Sequence, residues 1–194
     1  AKPGDSIFED RNDDGKINSS DMTFIGDPNP KVTYGININL GWKNFDLSML
    51  WQGVQGVDIF NASKFYFEKF DGRQNVYASS YQKGWSGEGS TNSTPITLAY
   101  SKDDTRNNQN WWQSTMYVED GSYFRLKNIQ LGYTFPEKWM KKARIDNFRV
   151  YLSGDNLFTF SKFFYAYDPE TPVSKGGYYP LVKTVVFGVN ITFK

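Results

Sequence analysis

The stretch with the clearest potential for chemistry is an oxygen-rich loop that runs from Asp10 to Asp21. It reads Asp-Arg-Asn-Asp-Asp-Gly-Lys-Ile-Asn-Ser-Ser-Asp, with glycine at the sixth position, where such a loop must turn sharply. Because alternate residues of a tight loop point inward, this spacing predicts a site for a hard cation such as Ca²⁺. The predicted ligands are side-chain oxygens and one backbone carbonyl: Asp10, Asn12, Asp14, Lys16 (through its carbonyl), Asn18 and Asp21.

The same residue types are common in turns, so a solvated acidic turn is the competing interpretation. The twelfth position is Asp21 rather than Glu, so the side chain that would coordinate the ion through both carboxylate oxygens is one methylene shorter than usual. Proline and glycine on both sides, at Pro3, Gly4, Gly26 and Pro28, leave no room for a long flanking helix. We therefore expect a structural calcium site on an outward-facing loop, with a weak affinity of about 10⁻⁴ to 10⁻³ M.

Composition and charge exclude several functional classes. The 194 residues include no Cys and no His, which rules out thiolate metal sites and histidine-dependent nucleophilic mechanisms. The net charge of +1 gives no electrostatic footprint for nucleic acid. Two carboxylate pairs, Asp168 with Glu170 and Asp103 with Asp104, lack a nucleophile or a pocket and are interpreted as solvated loops. We predict that the chain is not an enzyme.

Aromatic residues make up 18% of the chain, although its mean hydropathy is low, at −0.61. No apolar run approaches the ~18 residues that a membrane-spanning helix needs. Many aromatic residues without long apolar runs are typical of two architectures. One is an aromatic-rich carbohydrate-binding sandwich, and the other is a membrane β-barrel with aromatic girdles at both interfaces.

Alternating apolar and polar residues predict five antiparallel strands. The predicted strands cover residues 31–42, 45–53, 123–135, 148–160 and 181–194. Only Lys43-Asn44 separates the first two, which indicates a tight hairpin. One face of each strand carries bulky apolar side chains, and the other carries mainly Asn, Asp, Ser, Gln, Thr and Gly. The polar face suits a water-filled lumen as well as it suits the outside of a sandwich.

The connections between these strands are of two kinds. Alternation fails in residues 54–120 and 163–180, which are predicted as long loops, whereas the connections at 43–44 and 136–147 are short. Chain order places both long loops, together with the segment before residue 31, at one end of the strands. Long outer loops and short inner turns are the asymmetry of an outer-membrane barrel.

Five strands are too few to close a barrel, and unpaired strand edges are not tolerated in lipid. We therefore predict an all-β fold that supplies the C-terminal strands of a large antiparallel transmembrane β-barrel. Residues 1–30 are predicted as an extracellular loop with the cation motif, and residues 31–194 as barrel strands with their long loops. The loops then face the outside of an outer membrane, and the C-terminus faces the periplasm.

Several motifs follow one another as they do in SusC/RagA-type TonB-dependent transporters, and the chain resembles the closing section of that family. The motifs are PGDSIFEDRNDDGKINSSD, IGDPNPKVTYGININL, NFDLSMLWQGVQGVDIFN, VEDGSYFRLKNIQLGYTFP, VYLSGDNLFTFSKF, YDPE and GVNITF. The resemblance implies a barrel of about 22 strands with an N-terminal plug. It also implies import of oligosaccharides or peptides across the outer membrane of Bacteroidetes, energised by TonB through the plug, with a SusD-like surface lipoprotein as a lid.

Aromatic residues in the predicted loops are candidates for contact with substrate or partner. They are Trp111, Trp112, Tyr165, Tyr167, Tyr178 and Tyr179. The tryptophan pair is more typical of an interfacial girdle, and the tyrosines leave both interpretations open. The competing functional class is a secreted, calcium-stabilised carbohydrate-binding β module, which would bury its bulky side chains in a closed core.

Overall fold

The computed structural model describes residues 3–68, 75–91, 95, 110, 112–163, 168–170, 179 and 181–193. The chain divides into two compact units. The first unit comprises residues 1–27, 59–119 and 172–178, and the second comprises residues 28–58, 120–171 and 179–194. The described residues contain seven strands: β1 Val32–Trp42, β2 Phe45–Gln55, β3 Asp58–Phe60, β4 Val118–Asp120, β5 Tyr123–Thr134, β6 Ile145–Ser161 and β7 Thr184–Phe193.

The second unit is built on an antiparallel sheet of five strands in the order β1-β2-β5-β6-β7. These five are the strands predicted from alternation, and each is 10 to 17 residues long. A tilted strand of about 9–11 residues crosses a bilayer, so every strand has sufficient length. Strand β6 begins three residues earlier than predicted because Ile145 pairs with Phe193 of β7.

The sheet has one apolar and one polar face, and the strand register keeps them separate. One row across all five strands consists of Leu40, Leu47, Leu131, Leu152 and Phe187, each opposite the next. Four of these five side chains are large and exposed, with Leu40 at 57% and Phe187 at 68%. The apolar face is therefore not covered by the described residues of this chain.

A bulge in β5 keeps the faces consistent along that strand. Leu126 is opposite Trp51 of β2 and Asn128 is opposite Leu50, so Lys127 is an extra residue in the ladder. The apolar positions consequently change from even to odd numbers on passing Lys127. Arg125, which precedes the bulge, stays on the polar face.

Glycines on both outer pairs of strands lie beneath tyrosine rings. Gly53 of β2 is opposite Tyr34 of β1, and Gly188 of β7 is opposite Tyr151 of β6. A Cβ atom at either glycine would collide with the ring of its partner. A ring that covers a cross-strand glycine shields its backbone, an arrangement that stabilises twisted sheets.

The first unit contains short helices and a small aromatic core. Helix α1, Ala62–Phe67, is capped by Asn61, whose side chain accepts a hydrogen bond from the Lys64 N–H at 2.9 Å. Helix α2 is Ala78–Lys83. Tyr117 is buried and packs edge-to-face against Phe65 at 5.1 Å between ring centres.

The short connection predicted between the third and fourth long strands is present in the second unit. It contains helix α3, Glu137–Met140, followed by one 3₁₀ turn at Lys141–Ala143. Nowhere in the described ranges is a helix long and apolar enough to cross a membrane.

Candidate functional site

A charged cluster lies on the polar face of the sheet, close to the start of β5. Arg125 is 0% exposed, and its Nε donates to Thr159 Oγ1 at 2.9 Å. Its Nη1 donates to Glu170 Oε2 at 2.7 Å, and its Nη2 forms an ion pair with Asp168. A buried guanidinium needs such partners, because an unpaired charge removed from water is very costly.

Glu170 is the second centre of this cluster. Its carboxylate accepts hydrogen bonds from Lys127 Nζ at 2.8 and 3.0 Å and from the Tyr123 hydroxyl. Burial raises the pKa of Glu170, but the hydrogen bonds from Lys127 and Tyr123, together with the positive charges of Arg125 and Lys127, outweigh it and hold the pKa below its usual value. The Glu170 N–H also donates to Asp168 Oδ1 at 2.9 Å, which closes the turn around Pro169.

We call this cluster the Arg125 clamp; its members are Tyr123, Arg125, Lys127, Thr159, Asp168 and Glu170. The sequence interpretation of Asp168 and Glu170 as a solvated loop is wrong, because their side chains are only 14% and 31% exposed. The cations of β5 draw these carboxylates onto the sheet. Sequence reasoning missed Arg125 because it lies 43 residues from Asp168 and occupies an ordinary polar position of an alternating strand.

The predicted cation loop forms a turn that is held by its own side chains. Asp10 Oδ2 accepts a hydrogen bond from the N–H of Gly15 at 2.7 Å, and Gly15 has the positive φ of +76° that the sharp turn needs. Asp21 accepts hydrogen bonds from the N–H groups of Arg11 at 2.9 Å and Asn18 at 2.8 Å. The N–H groups of Asn18 and Arg11 lower the pKa of Asp21, so this carboxylate is ionised at neutral pH.

The donor chemistry of the loop can be compared with what Ca²⁺ requires. Within the described ranges, no three His, Cys, Asp or Glu side chains gather closely enough to form a metal cluster by themselves. The predicted set contains only three carboxylates and depends also on the amides of Asn12 and Asn18 and on the carbonyl of Lys16. Each carboxylate oxygen that accepts one backbone N–H keeps a further lone pair for a cation. The oxygen types therefore fit Ca²⁺, provided that the amides and the carbonyl contribute.

Two of the six aromatic contact candidates lie in described parts of the chain. Trp112 is 38% exposed and packs edge-to-face against Phe8, with 5.2 Å between ring centres. Tyr179 is 97% exposed. The other candidates, Trp111, Tyr165, Tyr167 and Tyr178, lie outside the described residues. Contact with substrate or partner stays a prediction for all six.

Comparison with known proteins points to a single class. No family model matches the chain. The chain is similar to the TonB-dependent receptor P3 of Formosa agariphila, with 33% identity over 98% of this chain and 19% of that receptor. It is also similar to the TonB-dependent receptor SusC of Bacteroides thetaiotaomicron, with 27% identity over 99% of this chain and 18% of that receptor. The chain thus spans about a fifth of the length of these relatives.

The fold of the chain is also similar to that of a solved structure of the same class. The chain is similar to the RagAB peptide transporter, with a TM-score of 0.66 and 25% identity over 84% of this chain and 17% of that chain. TonB-dependent receptors are outer-membrane β-barrel proteins and are not enzymes, which agrees with the predictions made from the sequence. Over nearly its whole length the chain is therefore similar to the SusC/RagA-type TonB-dependent receptors, and its five adjacent strands are part of a larger barrel.

Proposed function

We propose that this chain forms part of an outer-membrane importer of nutrients that is driven by TonB. The observation that carries the proposal is the five-stranded sheet, whose apolar face stays exposed while its polar face holds the Arg125 clamp. A wall between lipid and a water-filled lumen needs this asymmetry. The similarity to TonB-dependent receptors along nearly the whole chain supports the same function.

The secreted carbohydrate-binding module is not favoured. A soluble sandwich packs the apolar faces of two sheets against each other, which leaves few large apolar side chains in water. Here Ile36, Leu152 and Val185 are 45%, 52% and 65% exposed. Bulky side chains along a whole sheet face are better explained by contact with lipid.

The partners follow from the importer proposal. The rest of the barrel pairs with β1 and β7, the plug fills the lumen and receives TonB, and a SusD-like lipoprotein covers the outer mouth. The cargo class is an oligosaccharide or a peptide, and the RagAB transporter, which is named for peptides, supports the second choice. In this arrangement the long loops face outward and the C-terminus faces the periplasm.

We also propose that Asp10, Asn12, Asp14, Lys16, Asn18 and Asp21 hold a structural Ca²⁺. Support comes from the local geometry, in which carboxylates of the loop already order its backbone N–H groups. The ion would neutralise the three carboxylates and stiffen the outer loop. The role that we propose for the ion is structural: it would order the loop rather than take part in a reaction.

The importer proposal is tested in a host that carries the full-length receptor. Deletion of the receptor gene is expected to abolish growth on either short oligosaccharides or peptides, and the intact gene to restore it. A second strain that lacks TonB should show the same loss, and a SusD-like lipoprotein should copurify with the receptor in detergent. Recovery of the receptor from the soluble fraction, or undiminished uptake without TonB, would refute the proposal.

A further inference from the structure

The Arg125 clamp fixes where the turn at residues 168–170 lies. Arg125 shares a face of the sheet with its register partners Gln52 of β2 and Thr159 of β6. This is the polar face, which the importer proposal assigns to the lumen. Since Asp168 and Glu170 bind Arg125 directly, the turn lies over the lumen wall and does not project beyond the strand ends.

The depth of the turn can be estimated from its partners on β5. Tyr123 is the first residue of β5 and is opposite Ser161, the last residue of β6. Glu170 binds both Tyr123 and Lys127, which is four residues further along the strand. Both donors reach the same oxygen, Glu170 Oε1, so their side chains converge and the turn lies beside the outermost few residues of β5.

We propose that the turn at residues 168–170 is an inward-folded part of the channel wall that narrows the outer mouth on the side of β5 and β6, and that Arg125 is the residue that positions it. This inference rests on the importer proposal for the identity of the polar face as the lumen. The turn limits the width of cargo that can pass along this side of the wall. The relevant cargo property is therefore cross-section rather than charge, because the carboxylates of the turn are neutralised by Arg125 and Lys127.

The energetics of the clamp explain why the turn stays in place. A guanidinium that is fully buried loses its hydration and depends on Asp168, Glu170 and Thr159 for replacement. Leaving such a charge buried without partners is strongly unfavourable. Release of the turn therefore breaks the ion pairs of Arg125 with Asp168 and Glu170 and the hydrogen bonds that Glu170 accepts from Tyr123 and Lys127.

The lack of cysteine in this chain allows a direct accessibility test in the full-length receptor. Ser153 of β6 and Asn39 of β1 lie in one row of the polar face, joined through Ser48 and Gln130. Ser153→Cys reports on the wall beneath the turn, and Asn39→Cys reports on the same level three strands away. Each is reacted with a small maleimide and with a wide polyethylene-glycol maleimide, in receptors whose other cysteines have been replaced.

The clamp is opened by the double variant Asp168→Asn/Glu170→Gln. We expect the ratio of wide-reagent to small-reagent rates at Ser153→Cys to rise about tenfold or more, because charge-assisted hydrogen bonds are each worth about 1.5–3 kcal/mol. The ratio at Asn39→Cys should stay unchanged. An unchanged ratio at Ser153→Cys, an equal rise at both sites, or no reaction with the small reagent at Ser153→Cys would overturn the inference.

A second variant keeps the test decisive if the first one fails to insert. Arg125→Met/Asp168→Asn/Glu170→Gln removes the buried charge together with its partners and leaves no unpaired ion. This triple variant should give the same rise in the ratio of wide-reagent to small-reagent rates at Ser153→Cys. The labelling pattern and nutrient uptake are separate readouts. A receptor that shows the expected labelling pattern but takes up no nutrient contradicts the importer proposal alone. A receptor with normal uptake but an unchanged labelling pattern contradicts only the inference that the turn narrows the channel.

Discussion

Asp46 of β2 and Arg149 of β6 form an ion pair across the strand between them, directly above Gly132 of β5. Arg149 Nε donates to Asp46 Oδ1 at 3.0 Å, and a second donor reaches Oδ2. A Cβ atom at Gly132 would stand only 2.5 Å from Asp46 Oδ1 and would also collide with the Arg149 guanidinium. Glycine at this position is what allows strands that are not neighbours to be joined on the polar face.

Gly132→Ala is therefore expected to separate Asp46 from Arg149. Both groups are ends of flexible side chains that can move aside. The free energy of unfolding should therefore fall by the usual cost of overpacking, about 1–3 kcal/mol. The measurement is the urea dependence of unfolding of the full-length receptor in detergent. Gly41→Ala is the matched control, because a Cβ there meets nothing within 4 Å. Equal effects of the two substitutions would contradict this account of Gly132.

The two faces of β1 should respond differently to charge. Ile36→Lys places an ammonium on the apolar face, where a charge at the bilayer midplane costs about 2–4 kcal/mol. Asn37→Lys places the same charge on the polar face and should be tolerated. Insertion into the outer membrane, measured by fractionation and by resistance to unfolding, distinguishes the two variants. Equal tolerance of both would show that the faces are assigned incorrectly.

Removal of calcium should loosen the loop at residues 5–27 and leave the barrel folded. We expect a chelator to speed proteolysis of this loop, and Asp10→Asn to reproduce the effect without a chelator. Glu9→Gln is the matched control, since its carboxylate is 79% exposed and lies outside the ligand set. A cleavage pattern that does not change on adding a chelator would exclude a structural Ca²⁺.

The Arg125 clamp should lose stability at acidic pH. The pKa of Glu170 is lower in the folded receptor than in the unfolded chain. The ionised carboxylate therefore adds to the free energy of unfolding at every pH above the unfolded pKa of about 4.3. This contribution is lost as the pH falls through the folded pKa. The stability difference between the native receptor and Glu170→Gln, measured by thermal unfolding, should be constant near neutral pH and shrink below about pH 4.3. A difference that grows on acidification would have the wrong sign for this account.

Local pattern was sufficient to predict the strands and the sharp turn at Gly15. The side chains in the row from Leu40 to Phe187 all lie on the apolar face, so the alternation of apolar and polar residues along each strand is enough to separate the two faces. The turn at Gly15 is likewise set by residues within one short stretch. In both cases the interactions that decide the structure are near neighbours in the sequence.

The Arg125 clamp could not be found in this way. Arg125 looks like any polar residue of a lumen-facing strand, and the distance of 45 residues to Glu170 hides their pairing. The available signal was chemical: an arginine flanked by Phe124 and Leu126 needs a carboxylate if it is buried, and the Asp-Pro-Glu sequence at 168–170 supplies two. Burial, which decides between the solvated loop and the clamp, depends on the folded chain.

The extra residue in β5 has a consequence for how this strand tolerates change in length. Deleting Lys127 would leave Leu126 opposite Trp51 and Asn128 opposite Leu50, so the two-residue repeat would run unbroken and all other side chains of β5 would keep their faces. The loss would be the Lys127 ammonium, which donates to Glu170. A deletion elsewhere in β5 would instead turn the side chains on one side of it to the opposite face, so the bulge is the one place where this strand can lose a residue and keep both faces intact.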